Sequence, residues 1–164
     1  MNYIKFHKTK NDVFNYLEQK NIKPLDNDNS ENQKSIKKLI EIIKGYFSGR
    51  KSNLVDAINS LDVKLNLEEK FHTEFSRKVA DVLIDLNYGE LTSYFEIGKK
   101  IDSKAYQAIG NVLKNNPLPL IIPCHRVIRK SGDIGGFMGK TNEGWQQALK
   151  KKLILLESTK LSGS

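Results

Sequence analysis

An α+β fold in two parts is predicted for this 164-residue chain, and three observations predict it. Leu61, Val63, Leu65 and Leu67 alternate with polar residues, the period of a half-buried strand. Later stretches carry apolar residues at helical spacing and end on turn chemistry. A polar run from Glu68 to Thr73 separates the strand from those helices and reads as a linker. The expected organisation is a small N-terminal α/β domain over residues 1–70, which supports a mainly helical C-terminal domain over residues 71–164.

Taken in order, Asn2 to Lys8 reads as a short strand and Asp26-Asn27-Asp28-Asn29 as a polar loop. Ser30 and Gln33 form a capping box for a helix whose apolar face is Ile36, Leu39, Ile40, Ile43 and Phe47, with Gly49 as its stop. Phe75 to Leu86 sets Val79, Val82, Leu83 and Leu86 on one helical face, and Asn87-Tyr88-Gly89 ends it. Ser93 and Glu96 cap a short helix reaching about Lys100. Beyond Asp102-Ser103, a further helix buries Ala105, Ala108, Ile109, Val112 and Leu113 and closes at Pro117. Lys104, Gln107, Asn111 and Lys114 share its other face. Two helices joined by a tight turn, the second with a polar and basic strip, read either as a helix-turn-helix or as an ordinary solvated face.

The formal charge of +8 and pI near 9.4 favour a polyanionic partner. Residues 1–74 hold 13 Lys and Arg against 11 Asp and Glu, a net +2, whereas residues 75–164 hold 14 against 8, a net +6. The second part is therefore the one suited to phosphates. The single cysteine permits no internal disulfide, and no apolar run approaches the length of a membrane span or secretory signal. A reducing cytoplasm is the expected compartment. His7, His72 and His125 lie far apart with no second cysteine, so no metal is expected.

That cysteine lies in Pro123-Cys124-His125-Arg126-Val127. A free thiol has a pKa of roughly 8.5, so a neighbouring base or positive field is needed to make the reactive thiolate. His125 and Arg126 offer both within two residues. Buried cysteines are also commonly inert, and Ile121-Ile122 upstream suggest a buried strand; the pentapeptide alone leaves both readings open.

The longer stretch Asn116-Pro117-Leu118-Pro119-Leu120-Ile121-Ile122-Pro123-Cys124-His125-Arg126-Val127-Ile128, followed by Gly132 and Gly135-Gly136, resembles the active-site signature of the O6-alkylguanine-DNA alkyltransferases. The resemblance continues through Phe75, Val79, Leu83, Gly89, Thr92-Ser93-Tyr94 and Ala108-Ile109-Gly110, covering about Leu61 to Glu157. It implies a winged helix-turn-helix in the C-terminal domain. The implied activity is direct-reversal repair: irreversible transfer of a methyl or similar group from O6 of guanine, with O4 of thymine a further substrate, onto Cys124, once per molecule and without a cofactor. Zinc ligands found in some N-terminal domains of the family have no counterpart here. The implied partner is double-stranded DNA carrying O6-alkylguanine, met by a monomer in the cytoplasm at the nucleoid.

Residue by residue, the resemblance makes Cys124 the nucleophile, His125 the base acting through a water, Glu157 the group orienting that imidazole, and Tyr94 the donor to the departing guanine. Backbone at Cys124 and Val127, and near Met138, would read the guanine edge, Phe137 would wall the pocket, and Asn116 would brace the Cys124 turn. Lys104, Ala105, Gln107, Ala108, Asn111, Lys114 and Arg126 form the expected DNA-binding set, Arg126 either touching phosphate or buttressing the fold. The chain departs from the family in four places. Gln107 stands where an arginine wedge is usual, Tyr106 where a smaller residue is usual, and Phe137 where many members have tyrosine. The segment between Gly139 and Lys150 is longer than the family norm. Trp145 is read as a packing residue.

Two rivals belong to other classes. An alkyltransferase-like damage-binding module would flip the base without transfer, but such proteins lack the cysteine. A cysteine hydrolase would use Cys124, His125 and Glu157 for acyl transfer, although adjacent Cys and His make an awkward direct pair.

Overall fold

The computed structural model describes residues 30–50, 54–61, 67–141 and 143–158. The expected strand Asn2–Lys8 with His7, the loop Asp26–Asn29, residues 62–66 of the expected alternating strand, and the side chains of Ser30, Gln33 and Ile36 lie outside them.

Helix α1 (Ser30–Phe47) opens the described chain. Leu39, Ile42 and Tyr46 turn toward the core, while Ile40 and Phe47 are exposed. The apolar stripe expected from Ile40 and Phe47 is thus rotated: Tyr46 takes the buried position because its hydroxyl finds a partner inside, as described below. Gly49, at φ 84°, ends α1 with paired bonds from Gly49 N to Tyr46 O and from Arg50 N to Gly45 O, the Schellman arrangement that satisfies the last carbonyls. Short helices α2 (Leu54–Asn59) and α3 (Leu67–Lys70) follow.

Where a linker is expected between Glu68 and Thr73, the chain instead forms α3 and buries Phe71. Leu67 begins that helix and Leu61 lies in a turn, so neither end of the expected strand is extended. Phe71 joins Tyr46, Leu54, Val55 and Ile58 to Val79, Leu83 and Leu86 in one buried cluster. The two parts therefore share a core among the described residues.

Helix α4 (Glu74–Ile84) begins at Thr73, whose hydroxyl accepts from Ser76 N while Ser76 Oγ accepts from Thr73 N. This reciprocal cap is one the sequence reading did not pick out. Strand β1 (Thr92–Ser93) runs parallel to β2 (Val127–Ile128), pairing Thr92 with Val127 and Ser93 with Ile128. The expected cap at Ser93 is present, accepting from Glu96 N to start α5 (Tyr94–Lys100). Asp102 at φ 51° and a bond from Ser103 N to Gly98 O turn the chain into α6 (Tyr106–Lys114). Ile109 and Leu113 are buried under α6, whereas Ala105, expected inside, is exposed at its N-cap. Helix α7 (Trp145–Ser158) closes the fold, with Trp145 at its start 38 % exposed. Gly89, at φ 75°, lets the turn after α4 lie on the end of α7, for a Cβ there would meet Glu157 O at 2.9 Å. No described helix is long and apolar enough to cross a membrane.

Candidate active site

The segment from Asn116 to Pro123 is a buried loop rather than the strand expected at Ile121-Ile122. Three prolines deny it ladder donors, and Leu120 at φ 75° bends it. Asn116 holds the bend from inside: its Nδ2 donates to Ile122 O at 2.8 Å and its Oδ1 accepts from Leu118 N at 3.0 Å. The chain then tightens into a 3-10 turn, Cys124–Arg126, whose three side chains are all buried. Because three successive residues on such a turn project about 120° apart, Cys124, His125 and Arg126 reach different surroundings.

Cys124 forms part of the lining of a cavity of about 590 Å³ between α5, α6, the residues just after β2 and the loop before α7. Tyr94, Gln107, Phe137 and Met138, four of the expected site residues, line it too, with Lys114 at the rim. Burial pushes the Cys124 thiol up, while a hydrogen bond with Asn116 and the charge of Lys150 pull the other way. Burial and the nearby Cys124 raise the Tyr94 hydroxyl, so Tyr94 stays protonated and able to donate. Met138, at φ 51°, turns the cavity wall.

His125 points away from the cavity into a buried polar cluster. Its Nε2 lies 3.0 Å from Glu157 Oε1. Arg126 grips the same carboxylate with two bonds, Nε to Oε2 at 2.8 Å and Nη2 to Oε1 at 2.9 Å. Its remaining nitrogen donates to Leu86 O and Asn87 O, both at 3.0 Å. Burial would raise the Glu157 carboxyl, but the bonds from His125 and Arg126 outweigh it and hold the group down to about 2. Burial also lowers the His125 imidazole, against the pull of Glu157. The imidazole is therefore neutral near pH 7, with its proton assigned to Nε2 by the bond to Glu157. Nδ1, buried and without a protein partner, keeps its lone pair.

Several expectations need correction. Arg126, placed in the DNA-binding set, is 2 % exposed and spends its donors on Glu157 and the α4–β1 turn; the fold-buttressing alternative is the one realised. Val127 does not line the cavity: its N–H goes to Cys124 O and its carbonyl accepts from Lys150. Lys104, Gln107, Asn111 and Lys114 do share the exposed face of α6 and its approach, with Ala105 exposed and Ala108 half-buried beside them.

Two residues of the site escaped the sequence reading. Tyr46, from α1, donates to Glu157 Oε1 at 2.7 Å and lies 3.4 Å from His125 Nε2. Burial, then Glu157, raises its hydroxyl, which keeps it a donor. Lys150 is 1 % exposed and donates to Val127 O at 2.6 Å and Gly136 O at 3.0 Å. Burial pushes it down to about 8, and its charge favours the Cys124 thiolate. Nothing local singled out Lys150, the first of three consecutive lysines in α7.

Residues 74–159 match the family described as 6-O-methylguanine DNA methyltransferase, DNA binding domain. The chain belongs to this family. It is 40 % identical over 89 residues to a methylated-DNA–protein-cysteine methyltransferase of Methanocaldococcus jannaschii, a match spanning 54 % of this chain but 47 % of that relative. A methylated-DNA–protein-cysteine methyltransferase of Methanosarcina mazei is 31 % identical over 147 residues, covering 89 % of this chain and 83 % of the other. Among solved structures, Mycobacterium tuberculosis OGT in complex with DNA superposes with a TM-score of 0.57 at 32 % identity, over 72 % of this chain and 64 % of that one. The exposed α5–α6 pair lies inside the matched DNA-binding domain.

Proposed function

We propose that this chain repairs alkylated DNA by moving an alkyl group from O6 of guanine, and from O4 of thymine where that fits the cavity, onto Cys124. The observation that carries the reading is the division of labour around one short turn. Cys124 faces a cavity rimmed by cations, while its neighbour His125 faces a fixed carboxylate and keeps a free Nδ1.

A water carries the thiol proton to Nδ1, and Glu157 stabilises the imidazolium that results. Sulfur attacks the alkyl carbon, the new S–C bond forms as the C–O bond breaks, and the electron pair leaves with guanine. Tyr94 donates to that departing base, and Lys150 stabilises the thiolate before attack. The product thioether is not cleaved, so each molecule reacts once. Phe137 walls the bound base, and backbone near Met138 reads its edge. Asn116 ties the nucleophile's turn to the end of α6.

The exposed strip Lys104, Gln107, Asn111 and Lys114, with Ala105 and Ala108 allowing close approach, faces double-stranded DNA. Flipping the alkylated base out of the stack costs a few kcal/mol, and Gln107 stands where it can bond the orphaned partner. The protein acts as a monomer in a reducing cytoplasm, at the nucleoid, with residues 1–70 supporting the C-terminal domain.

The deciding experiment is incubation with a duplex containing O6-methylguanine, followed by intact-mass analysis and peptide mapping. One methyl group on Cys124, and never more than one per chain, is expected. Binding without modification would move the protein to damage recognition, and continuous turnover to hydrolysis.

A further inference from the structure

The wall of the cavity ends in a tight turn that α6 touches. Phe137 and Lys140 bond each other in both directions, Phe137 N to Lys140 O at 2.9 Å and Lys140 N to Phe137 O at 3.0 Å. Between them Met138 has φ 51° and Gly139 φ 77°, the two successive left-handed residues that a type I′ turn demands. Phe137 and Met138 line the cavity together with Cys124. The base of the turn is anchored from behind: buried Lys150 donates to Gly136 O at 3.0 Å, and a Cβ on Gly136 would meet Lys140 O at 2.9 Å. The tip rests on Lys114. A Cβ on Gly139 would fall 2.8 Å from Lys114 Cε, 3.0 Å from its Cγ and 3.1 Å from its Cδ, so the aliphatic stem of that lysine lies along the glycine backbone.

Lys114 is the last residue of α6. One turn earlier, Gly110 brings the same helix close to Tyr94, whose Cε1 is 3.9 Å from where a Cβ would stand. A helix that offers Gln107 and Asn111 to solvent therefore meets the cavity at two points, the tyrosine beside the nucleophile and the tip of the wall. A lysine packs its methylenes on neighbouring surface while its ammonium stays in water. The charge of Lys114 is thus free to meet phosphate while its stem stays on Gly139.

We infer that Lys114 is a positioning residue: its stem clasps the Met138–Gly139 turn to α6 and so fixes the wall that holds the base in front of Cys124. The effect on rate rests on the alkyl-transfer reading above, whereas the clasp itself rests on packing.

Two substitutions separate stem from charge. Lys114→Met keeps an unbranched stem without the ammonium, and Lys114→Ala removes both. Labelling of Cys124 by an O6-methylguanine duplex, with protein in excess, gives a limiting rate and a half-saturating concentration. Both variants should raise the half-saturating concentration, the mark of a lost phosphate contact. Only Lys114→Ala should lower the limiting rate, by about tenfold, since a misplacement on the order of 1 Å costs up to about 100-fold. Hydrogen exchange reads the clasp without the chemistry. The Phe137 and Lys140 amides, bonded across the turn, should exchange faster in Lys114→Ala and at the wild-type rate in Lys114→Met, while the amides of α4 keep their protection in both. A limiting rate in Lys114→Ala equal to wild type would overturn the clasp, as would an equal fall in both variants, which would trace the effect to charge. Unchanged exchange at Phe137 and Lys140 in Lys114→Ala would overturn it too. Failure of wild type to label would instead remove the transfer reading, and the exchange rates alone would then uphold or overturn the clasp.

Discussion

The His125 side of the Cys124 turn and the cavity side are built to opposite rules. On the first, Tyr46, His125, Arg126 and Glu157 are buried, and every oxygen of the carboxylate is spoken for. On the second, Phe95, Tyr106 and Gln107 are exposed on a cavity wall that carries no carboxylate among the described residues, with Lys130 Nζ 4.2 Å from the Phe95 ring centre. The difference teaches where each kind of failure will show. Damage to the buried cluster strands charges in a low-dielectric interior and is felt as stability and proton handling. Damage at the mouth is felt in the choice between substrates, because these side chains are exposed and carry no buried charge.

The sharpest test of the comparison lies at the boundary between the two. Cys124→Ser should abolish transfer while DNA affinity stays within about twofold, since the hydroxyl is nearly isosteric but a far poorer nucleophile. Intact mass and anisotropy on the same sample check both halves, and any alkylated serine product would break the assignment.

Next in size, Glu157→Gln should destabilise the fold by about 3–5 kcal/mol, because Arg126 keeps its charge and loses its counter-ion. Chemical denaturation measures this. The same carboxyl makes stability acid-sensitive. Its pKa lies at about 2 in the fold against an ordinary 4.5, so its contribution is present above pH 4.5 and is lost as pH falls toward 2, by about 3 kcal/mol in all. His125, depressed by burial, adds to the loss in the same direction, beginning as pH drops below its ordinary 6.5. Melting temperatures from pH 7 to pH 2 should fall steeply for wild type and more gently for the variant.

At the mouth, Gln107→Arg should speed transfer from duplex DNA several-fold, since a longer cation fills the vacated stack and reaches phosphate. Reaction with free O6-benzylguanine opens no stack, so the ratio of the two rates is the measurement. Equal effects on both would place Gln107 outside the DNA. Lys104→Glu should weaken binding to all duplexes alike and reduce the slope of log affinity against log salt by about 1 or more.

Smallest of all, Tyr46→Phe removes one donor from Glu157 and should cost about 1–2 kcal/mol. The carboxylate then has more charge to offer His125, so the imidazole's depressed pKa rises and the acid limb of the rate profile moves to higher pH. A purely structural tyrosine would lower stability without moving that limb.

Much of the fold was legible because the signals are local. The Ser93 cap, the apolar face Val79, Val82, Leu83 and Leu86, the tight turn at Asp102-Ser103 and the exposed strip Lys104, Gln107, Asn111 and Lys114 each depend on residues a few positions apart, and each is present. So is the pairing of Cys124 with a proline-bent turn. The face of α1 was misread because helical period alone does not distinguish Ile40 from Tyr46 as the inward residue; the partner that rewards Tyr46 is 111 residues away.

By itself, then, the sequence determined helices α1, α4, α5 and α6, the stop at Gly49, the cap at Ser93, the basic second half and the reactive-cysteine candidate in Pro-Cys-His-Arg-Val, since backbone propensity and side-chain spacing act within a few residues. Only the tertiary structure decided that Arg126 turns inward to Glu157 rather than outward to phosphate, that Lys150 is buried beneath Val127 and Gly136, and that Phe95 and Tyr106 meet at the cavity mouth. A side chain that can bond equally well to a carboxylate, a carbonyl or water carries no local sign of its partner. The choice is made when long-range packing removes water from one of them.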